Sequence, residues 1–372
     1  MADKSPLEKN KPTRTNRNTT NPPKKNSSGA EVYAPNLPSL LSVPNTKVSN
    51  IFDTLLDKDT QLVEVGNGVL TSIKAYFMPL TDGIPDNIRL RSPAGKSRTY
   101  TEFDRAILGA VASLVRTGNN ILSPATIARF ITGCPNAHDF SDTFLRQIDE
   151  SMQKQLYIHI ELDYTEELRR KHPDADIRTA RLEGWSLPHE RYVLFAGGYE
   201  TQGYRLHDEP ILFRYADAID QVLPIPLSYL AVGGRNSAER VALKHYMLRR
   251  ILARKGTMPD TILLSTLYEK AGYPDTSKTT RKHLQSLREY IGRCMTAWVE
   301  LGLLDEFDFI RGKNGSYTSL CFKKSKKVKA PKLPEPPELP PEPPADTPDE
   351  PYSEADDAQL IISNFGRSPD GA

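Results

Sequence analysis

Three cysteines in 372 residues, Cys134, Cys294 and Cys321, are too few and too scattered for a disulfide framework, and no two stand at metal-ligand spacing. Histidine is equally sparse. Among the seven, at 138, 159, 172, 189, 207, 245 and 283, no two are separated by a single residue, so the His-x-His metal pair of a strand-nicking enzyme is missing. Ala94-Gly95-Lys96-Ser97 has the end of a phosphate loop, but Leu90 stands where the leading glycine is required. Gly197-Gly198 after an apolar run reads as a turn, not as a dinucleotide fingerprint. No apolar run approaches the ~20 residues that span a bilayer, and Met1-Ala2-Asp3-Lys4-Ser5 lacks a signal-peptide core. These absences lead to the expectation of a cytoplasmic, non-catalytic protein without cofactor, metal or membrane partner.

What the chain has is proline, and charge that is unevenly placed. Apolar residues make up 38% and charged residues 26%, the values of a globular protein diluted by polar ends. Residues 1–30 are rich in Lys, Asn, Thr, Pro and Ser without apolar periodicity, and are expected to be a disordered basic arm. Residues 324–372 begin with a lysine run and continue through prolines at 334, 336, 337, 340, 341, 343 and 344, a composition that favours extended polyproline II. Leu333 to Ala372 carries ten acidic residues against Arg367, a net −9 that leaves +11 on the first 332 residues because the whole chain is +2. A body that basic suits a polyanion; a merely well-solvated surface is the alternative. Within the acidic tail, Leu360-Ile361-Ile362 and Phe365 form an apolar island that fits a docking peptide for a partner protein.

Between the tails, two stretches repeat one order of signals. In the first, Thr101 caps a helix with apolar positions Phe103, Ile107, Ala110, Val111 and Leu114, the stripe of a helix packed on a core. Ile121-Leu122 is a short extended piece, and Ser123-Pro124 opens a short helix stopped by Gly133. A third helix, starting at Asp139 or Ser141, carries Phe144, Ile148 and Met152. Ile158, Ile160 and Leu162 then alternate with polar residues as a half-buried strand, for which residues 191–196 are the expected antiparallel partner across a long wing. In the second stretch, Asn236 and Glu239 resemble a capping box before a helix with Val241, Leu248, Ile251 and Leu252. A strand at 261–263, a helix at 265–271 and a turn at 274–277 lead into a long helix, 277–301, with Leu284, Leu287, Ile291, Met295 and Trp298 on one side. Strands at 303–310 and 316–322, joined by Arg311-Gly312-Lys313-Asn314-Gly315, close it. Helix, strand, helix, helix and hairpin, met twice, predicts an α+β chain of two tandem winged-helix domains, 31–230 and 231–323, between disordered tails.

In such a fold the last helix before the hairpin enters the major groove, and double-stranded DNA is the partner it implies. Lys278, Arg281, Gln285 and Arg288 share one stripe of the 277–301 helix, with Lys282 beside it, and offer the donors and acceptors that base edges require. At the hairpin tip, Arg311, Lys313 and Asn314 fit contact with phosphate. A solvated basic face, and a turn that needs its Gly and Asn only for geometry, are the bland alternatives. The third helix of the first stretch, with Arg146 and Lys154 beside Asp142, Asp149 and Glu150, is less cationic and fits protein contact or dimerisation as well as DNA.

The segments at 209–217 (EPILFRYAD), 224–227 (PIPL) and 243–251 (LKHYMLRRI) resemble the junction and first helix of the second domain in replication initiators of plasmids and integrative elements of low-GC Gram-positive bacteria. The resemblance covers about 31–323 and is one of architecture more than of motif; residues 163–192 have no counterpart in it. It implies binding to repeated origin sequences, strand opening, and recruitment of host replication proteins through the tail, with Lys278, Arg281, Lys282, Gln285 and Arg288 on DNA. A transcriptional regulator on a palindromic operator is the second reading, and a nuclease, disfavoured by the missing His pair, the third. Homodimerisation is left open.

Overall fold

The computed structural model describes residues 38–77 and 99–326, apart from 138, 197–198, 235, 255, 257–258 and 314. The basic arm, the phosphate-loop remnant at 94–97, Asn314 and the Pro-rich and acidic tail beyond 326 lie outside the described residues. The chain is mixed α+β, with its strands in small antiparallel sheets.

The first elements are β1 (Leu40–Pro44), α1 (Lys47–Asn50), α2 (Phe52–Leu55), β2 (Gln61–Gly66) and β3 (Val69–Phe77). No element is expected here from periodicity, yet β2 and β3 form a hairpin whose signal is local. Asn67 and Gly68 sit at φ +49° and +77°, the two left-handed positions of a tight two-residue turn.

The capping signals of the next stretch are realised. In α3 (Glu102–Arg116), Thr101 and Asp104 form a reciprocal capping box. After β4 (Ile121–Leu122), Ser123 caps α4 (Pro124–Thr132), accepting from the Thr126 amide at 3.0 Å. Ser141, rather than Asp139, caps α5 (Asp142–Gln155).

The chain then departs from expectation. It forms β5 (Ile158–Asp163), α6 (Thr165–Lys171), β6 (Arg181–Trp185), β7 (His189–Ala196) and β8 (Tyr199–Leu206). The expected pairing of β5 with 191–196 is not made: β5 lies between β3 and β6 in a sheet of order β2-β3-β5-β6. Residues 191–196 belong to β7, which forms a hairpin with β8, and β8 also pairs with β4 in a sheet of order β4-β8-β7. Both edges of β5 are therefore occupied, one by β3 from before α3 and one by the inserted β6, and its Ile158, Ile160 and Leu162 are buried there. The hairpin expected to begin with β5 begins instead at His189, after the insertion.

After α7 (Ile211–Ala218), β9 (Val222–Pro226) pairs with β1, and α8 (Leu227–Leu230) follows. The end of α4 meets α8 closely. Gly133 closes α4 at φ +70°, and a Cβ there would lie 2.4 Å from the Leu227 carbonyl oxygen and 2.6 Å from the Ala231 nitrogen. Gly133→Ala therefore combines backbone strain with a backbone clash. A loss of more than about 1 kcal/mol is expected in a urea titration; an unchanged midpoint would mean that α8 does not seat on α4.

The last stretch comprises α9 (Ala238–Ala253), β10 (Asp260–Leu263), α10 (Leu264–Lys270), a 3-10 turn at Thr276–Lys278, α11 (Arg281–Glu300), β11 (Leu304–Arg311) and β12 (Tyr317–Lys324). Its sheet has the order β10-β12-β11, so the first strand pairs with the last in both β4-β8-β7 and β10-β12-β11. The expected Asn236/Glu239 capping box is absent. Ser237 occupies the cap position of α9, and Glu239 instead takes hydrogen bonds from the hydroxyls of Ser237, at 3.4 Å, and Tyr273.

The described residues lie within one compact unit, in which α9 packs against α3. Across this seam Arg249 donates to Glu102 at 2.6 Å, and Arg105 contacts Glu102 at 3.2 Å and Asp53 at 3.7 Å. Lys270 reaches Asp53 at 3.4 Å, and Arg249 also bonds Asn50. His245 of α9 hydrogen-bonds the Ile131 carbonyl of α4 at 2.8 Å, and Lys244 donates to the carbonyls of Leu230 and Val232. Desolvation pushes the Lys244 ammonium down to about 8. These contacts tie α9 to α3, to α4 and to the carbonyls of Leu230 and Val232 by direction as well as by packing.

Candidate nucleic-acid interface

α11 is held by its buried side: Leu287, Tyr290, Ile291, Cys294, Met295 and Trp298 face the core, and the Trp298 indole donates to the Tyr229 carbonyl at 2.9 Å. The helix starts four residues later than the sequence spacing indicates. Ser277 cannot cap it, because its hydroxyl and amide both donate to Asp275, closing the 3-10 turn. Thr279 is extended, and Thr280 becomes the cap by accepting from the His283 amide.

This shift removes Lys278 from the helix stripe. Lys278 sits in the turn, ion-paired with Asp275 at 3.2 Å. The hydrogen bonds from Ser277 and then Lys278 hold the Asp275 carboxyl below the usual carboxylate range. Arg281, Lys282 and Gln285 stay on the first turns of α11 and are exposed. Gln285 donates to Glu289 at 2.9 Å. Arg281 and Lys282 have no carboxylate partner among the described residues.

Arg288, half-buried, is brought to the hairpin rather than to open solvent. Its guanidinium carbon lies 4.3 Å from the centroid of the Tyr317 ring, at the start of β12. Arg311, at the end of β11, lies 4.6 Å from the same centroid and donates to the Tyr317 hydroxyl at 2.7 Å. Arg311 and Tyr317 are cross-strand partners beside a register shift, and the tip closes through the Gly312 amide and the Ser316 carbonyl at 2.8 Å. Lys313 is exposed at this tip. Helix and hairpin thus present one continuous surface of cations.

Two residues here escaped the sequence reading. Tyr317 sits opposite Arg311 because the ladder shifts register between Ile310 and Arg311, which the spacing of residues does not mark. His283 contacts Glu239 at 3.3 Å and packs edge-on against Tyr273 at 4.9 Å, which ties the start of α11 to α9; only tertiary packing brings these three together.

The corresponding surface of the first stretch differs. Both cations of α5 are engaged: Arg146 with Glu150 at 3.8 Å and Lys154 with Asp104 at 2.7 Å. Arg191 of β7 contacts Asp149 at 3.7 Å, and Arg205 of β8 lies over Tyr192 at 4.7 Å. Among the described residues no group of three or more His, Cys, Asp or Glu is arranged to hold a metal, and no helix is long and apolar enough to cross a membrane.

No family model matches the chain, and no curated protein matches it. Among the solved structures that the chain matches are two of RctB. One is the selenomethionine derivative of domains 2 and 3 of RctB, at 15% identity and a TM-score of 0.37, covering 77% of this chain and all of that one. The other, also of RctB domains 2-3, stands at 12% identity and a TM-score of 0.35, covering 74% of this chain and 96% of that one. At scores this low the similarity decides nothing about site or function.

Proposed function

We propose that this chain binds double-stranded DNA through two winged-helix domains and acts as a replication initiator on repeated sites of its own replicon. The observation that carries the DNA-binding part is the cationic surface of α11 and the β11–β12 hairpin. Arg281, Lys282, Arg288, Arg311 and Lys313 stand there without carboxylate partners among the described residues, on the helix and turn that a winged helix lays against a duplex. The winged-helix reading itself is supported by element order and by the shared sheet order of β4-β8-β7 and β10-β12-β11. Initiator rather than regulator is favoured by the resemblance at 209–217, 224–227 and 243–251. It is also supported by the polar seam between α3 and α9, which ties the last stretch to the first. The reading involves no catalytic step, and the tail beyond 326 supplies the recruitment of host proteins.

The test is a footprint of the full chain on DNA flanking its own coding sequence at two salt concentrations. Several evenly spaced direct repeats, still protected at the higher salt, are expected. A single protected palindrome would make the protein a regulator, and no protection on any duplex would remove the DNA-binding reading.

A further inference from the structure

The sequence places Arg288 with the base-reading residues of α11 and Arg311 with the phosphate-contacting tip. The geometry gives them a common anchor. We propose that Arg288 and Arg311, held together on the ring of Tyr317, form a single clamp for the DNA phosphate backbone, and that Tyr317 is its positioning residue. Base readout then falls on Arg281 and Gln285 alone. This inference rests on the DNA-binding reading above and assigns the labour within that site.

Three observations carry it. The first is convergence: guanidiniums from the helix and from the hairpin lie 4.3 and 4.6 Å from one ring centroid. A guanidinium over an aromatic face is attracted by the ring quadrupole while its N–H groups remain free to donate at its edge. The second is the absence of internal anions: neither Arg288 nor Arg311 has a carboxylate partner among the described residues, whereas Arg105, Arg116, Arg249 and Arg250 each contact one. Two like charges gathered on one ring without a counter-ion are a site for an external anion. The third is constraint. Arg288 is half-buried and Arg311 is tied to the Tyr317 hydroxyl at 2.7 Å, so both guanidiniums are held at the hairpin. Arg281 and Gln285 are exposed, one turn apart, at the start of the helix.

The ring also fixes the hairpin to the helix. Phe309 packs against Tyr317 with ring centroids 6.0 Å apart, and a Cβ on Gly292 of α11 would touch Phe309 at 3.6 Å. The close approach of helix and hairpin at Gly292 is what lets Arg288, one turn earlier, reach Tyr317.

The experiment compares wild type, Arg288→Ala, Arg311→Ala, Tyr317→Phe and Tyr317→Leu by fluorescence anisotropy across a salt series. The probes are a random-sequence 40-base-pair duplex and the duplex protected in the footprint. Each arginine variant is expected to weaken binding to both duplexes by the same factor and to reduce the log–log salt slope by about 1. Tyr317→Leu is expected to lower the slope on both duplexes although it removes no charge, and Tyr317→Phe, which keeps the ring but loses the hydroxyl that Arg311 bonds, to fall between wild type and Tyr317→Leu. Circular dichroism melts check folding; should Tyr317→Leu not fold, the two arginine variants and Tyr317→Phe still decide. A Tyr317→Leu protein that is folded and binds like wild type overturns the clamp. So does an Arg288→Ala protein that loses affinity only for the protected duplex, because that is the mark of a base reader. Wild type that binds neither duplex fails at an earlier step and removes the DNA-binding reading together with the clamp.

Discussion

Replacing Glu102 with alanine is expected to cost about 3–5 kcal/mol of folding stability, the range for breaking a buried ion pair from one side. Glu102 is buried at the first turn of α3 and receives Arg249 from α9 and Arg105 from its own helix. Without the carboxylate, the Arg249 guanidinium keeps only Asn50 as a side-chain acceptor in a site where burial already disfavours its charge. A double variant, Glu102→Leu with Arg249→Met, removes both charges and is expected to recover most of the loss, as paired apolar replacements do. Urea titrations of the three proteins check this. A single variant within about 1 kcal/mol of wild type, or a double variant no better than the single, would show that the pair does not hold the seam.

The same seam predicts a direction for pH. Burial alone would raise the Glu102 carboxyl, but Arg249 and Arg105 outweigh it and hold the group below its ordinary value of 4.5. Burial lowers His245 from 6.5 to about 4, with its hydrogen bond to Ile131 acting in the opposite sense. In both cases the unfolded chain binds the proton more readily, so stability rises with pH through the window between the folded and unfolded values. The His245 contribution is full above about 6.5 and is lost as pH falls toward 4. The Glu102 contribution is lost below 4.5. The seam is therefore expected to loosen in acid before the rest of the core, visible as a smaller acid dependence of the urea midpoint in His245→Phe.

Arg281→Ala together with Gln285→Ala is expected to abolish most sequence discrimination while leaving non-specific affinity nearly intact. The two positions are separated by about 40° around the helix axis and both are exposed on the first turns of α11. A bidentate contact to a base edge is worth about 1–3 kcal/mol of discrimination, so losing both contacts reduces the ratio of specific to random binding by roughly two orders of magnitude. Random-duplex affinity should fall only by the one charge removed. Gln285 bonds Glu289 in the free protein, at 2.9 Å, and must exchange that partner for a base, so Glu289→Ala is a useful control that leaves the donor in place. Competition binding between the protected duplex and a random duplex reads the ratio directly. An unchanged ratio in the double variant would move base readout away from this helix.

The local signals were legible where one residue sufficed. Thr101 with Asp104, Ser123 with Pro124, Ser141 and Gly133 mark their helix ends as capping chemistry requires. The Asn67-Gly68 turn was equally readable and marks the β2–β3 hairpin, which apolar periodicity alone passes over. The start of α11 was not readable, because Ser277 and Thr280 are both competent caps. The choice went to Thr280 when Asp275 took the Ser277 hydroxyl and amide. Strand pairing failed for a different reason. The alternation in β5 states that one face is buried and says nothing about which strand lies alongside, and β3 and β6 occupy both edges, leaving none for 191–196.

The sequence by itself determined the helices of the two repeated stretches, the cationic character of the 281–288 helix face, and the contrast between a basic body and an acidic tail. These follow from residue type and spacing, which act over one or two turns. Only the structure shows what each cation lies against. Lys278 pairs with Asp275 three residues before it, Arg288 lies against Tyr317 beside Arg311, and Arg249 is buried on Glu102 from a helix distant in sequence. A charge carries no mark of its partner. Its role is set by which anion or ring the packing brings within a few ångströms, and that depends on the whole fold.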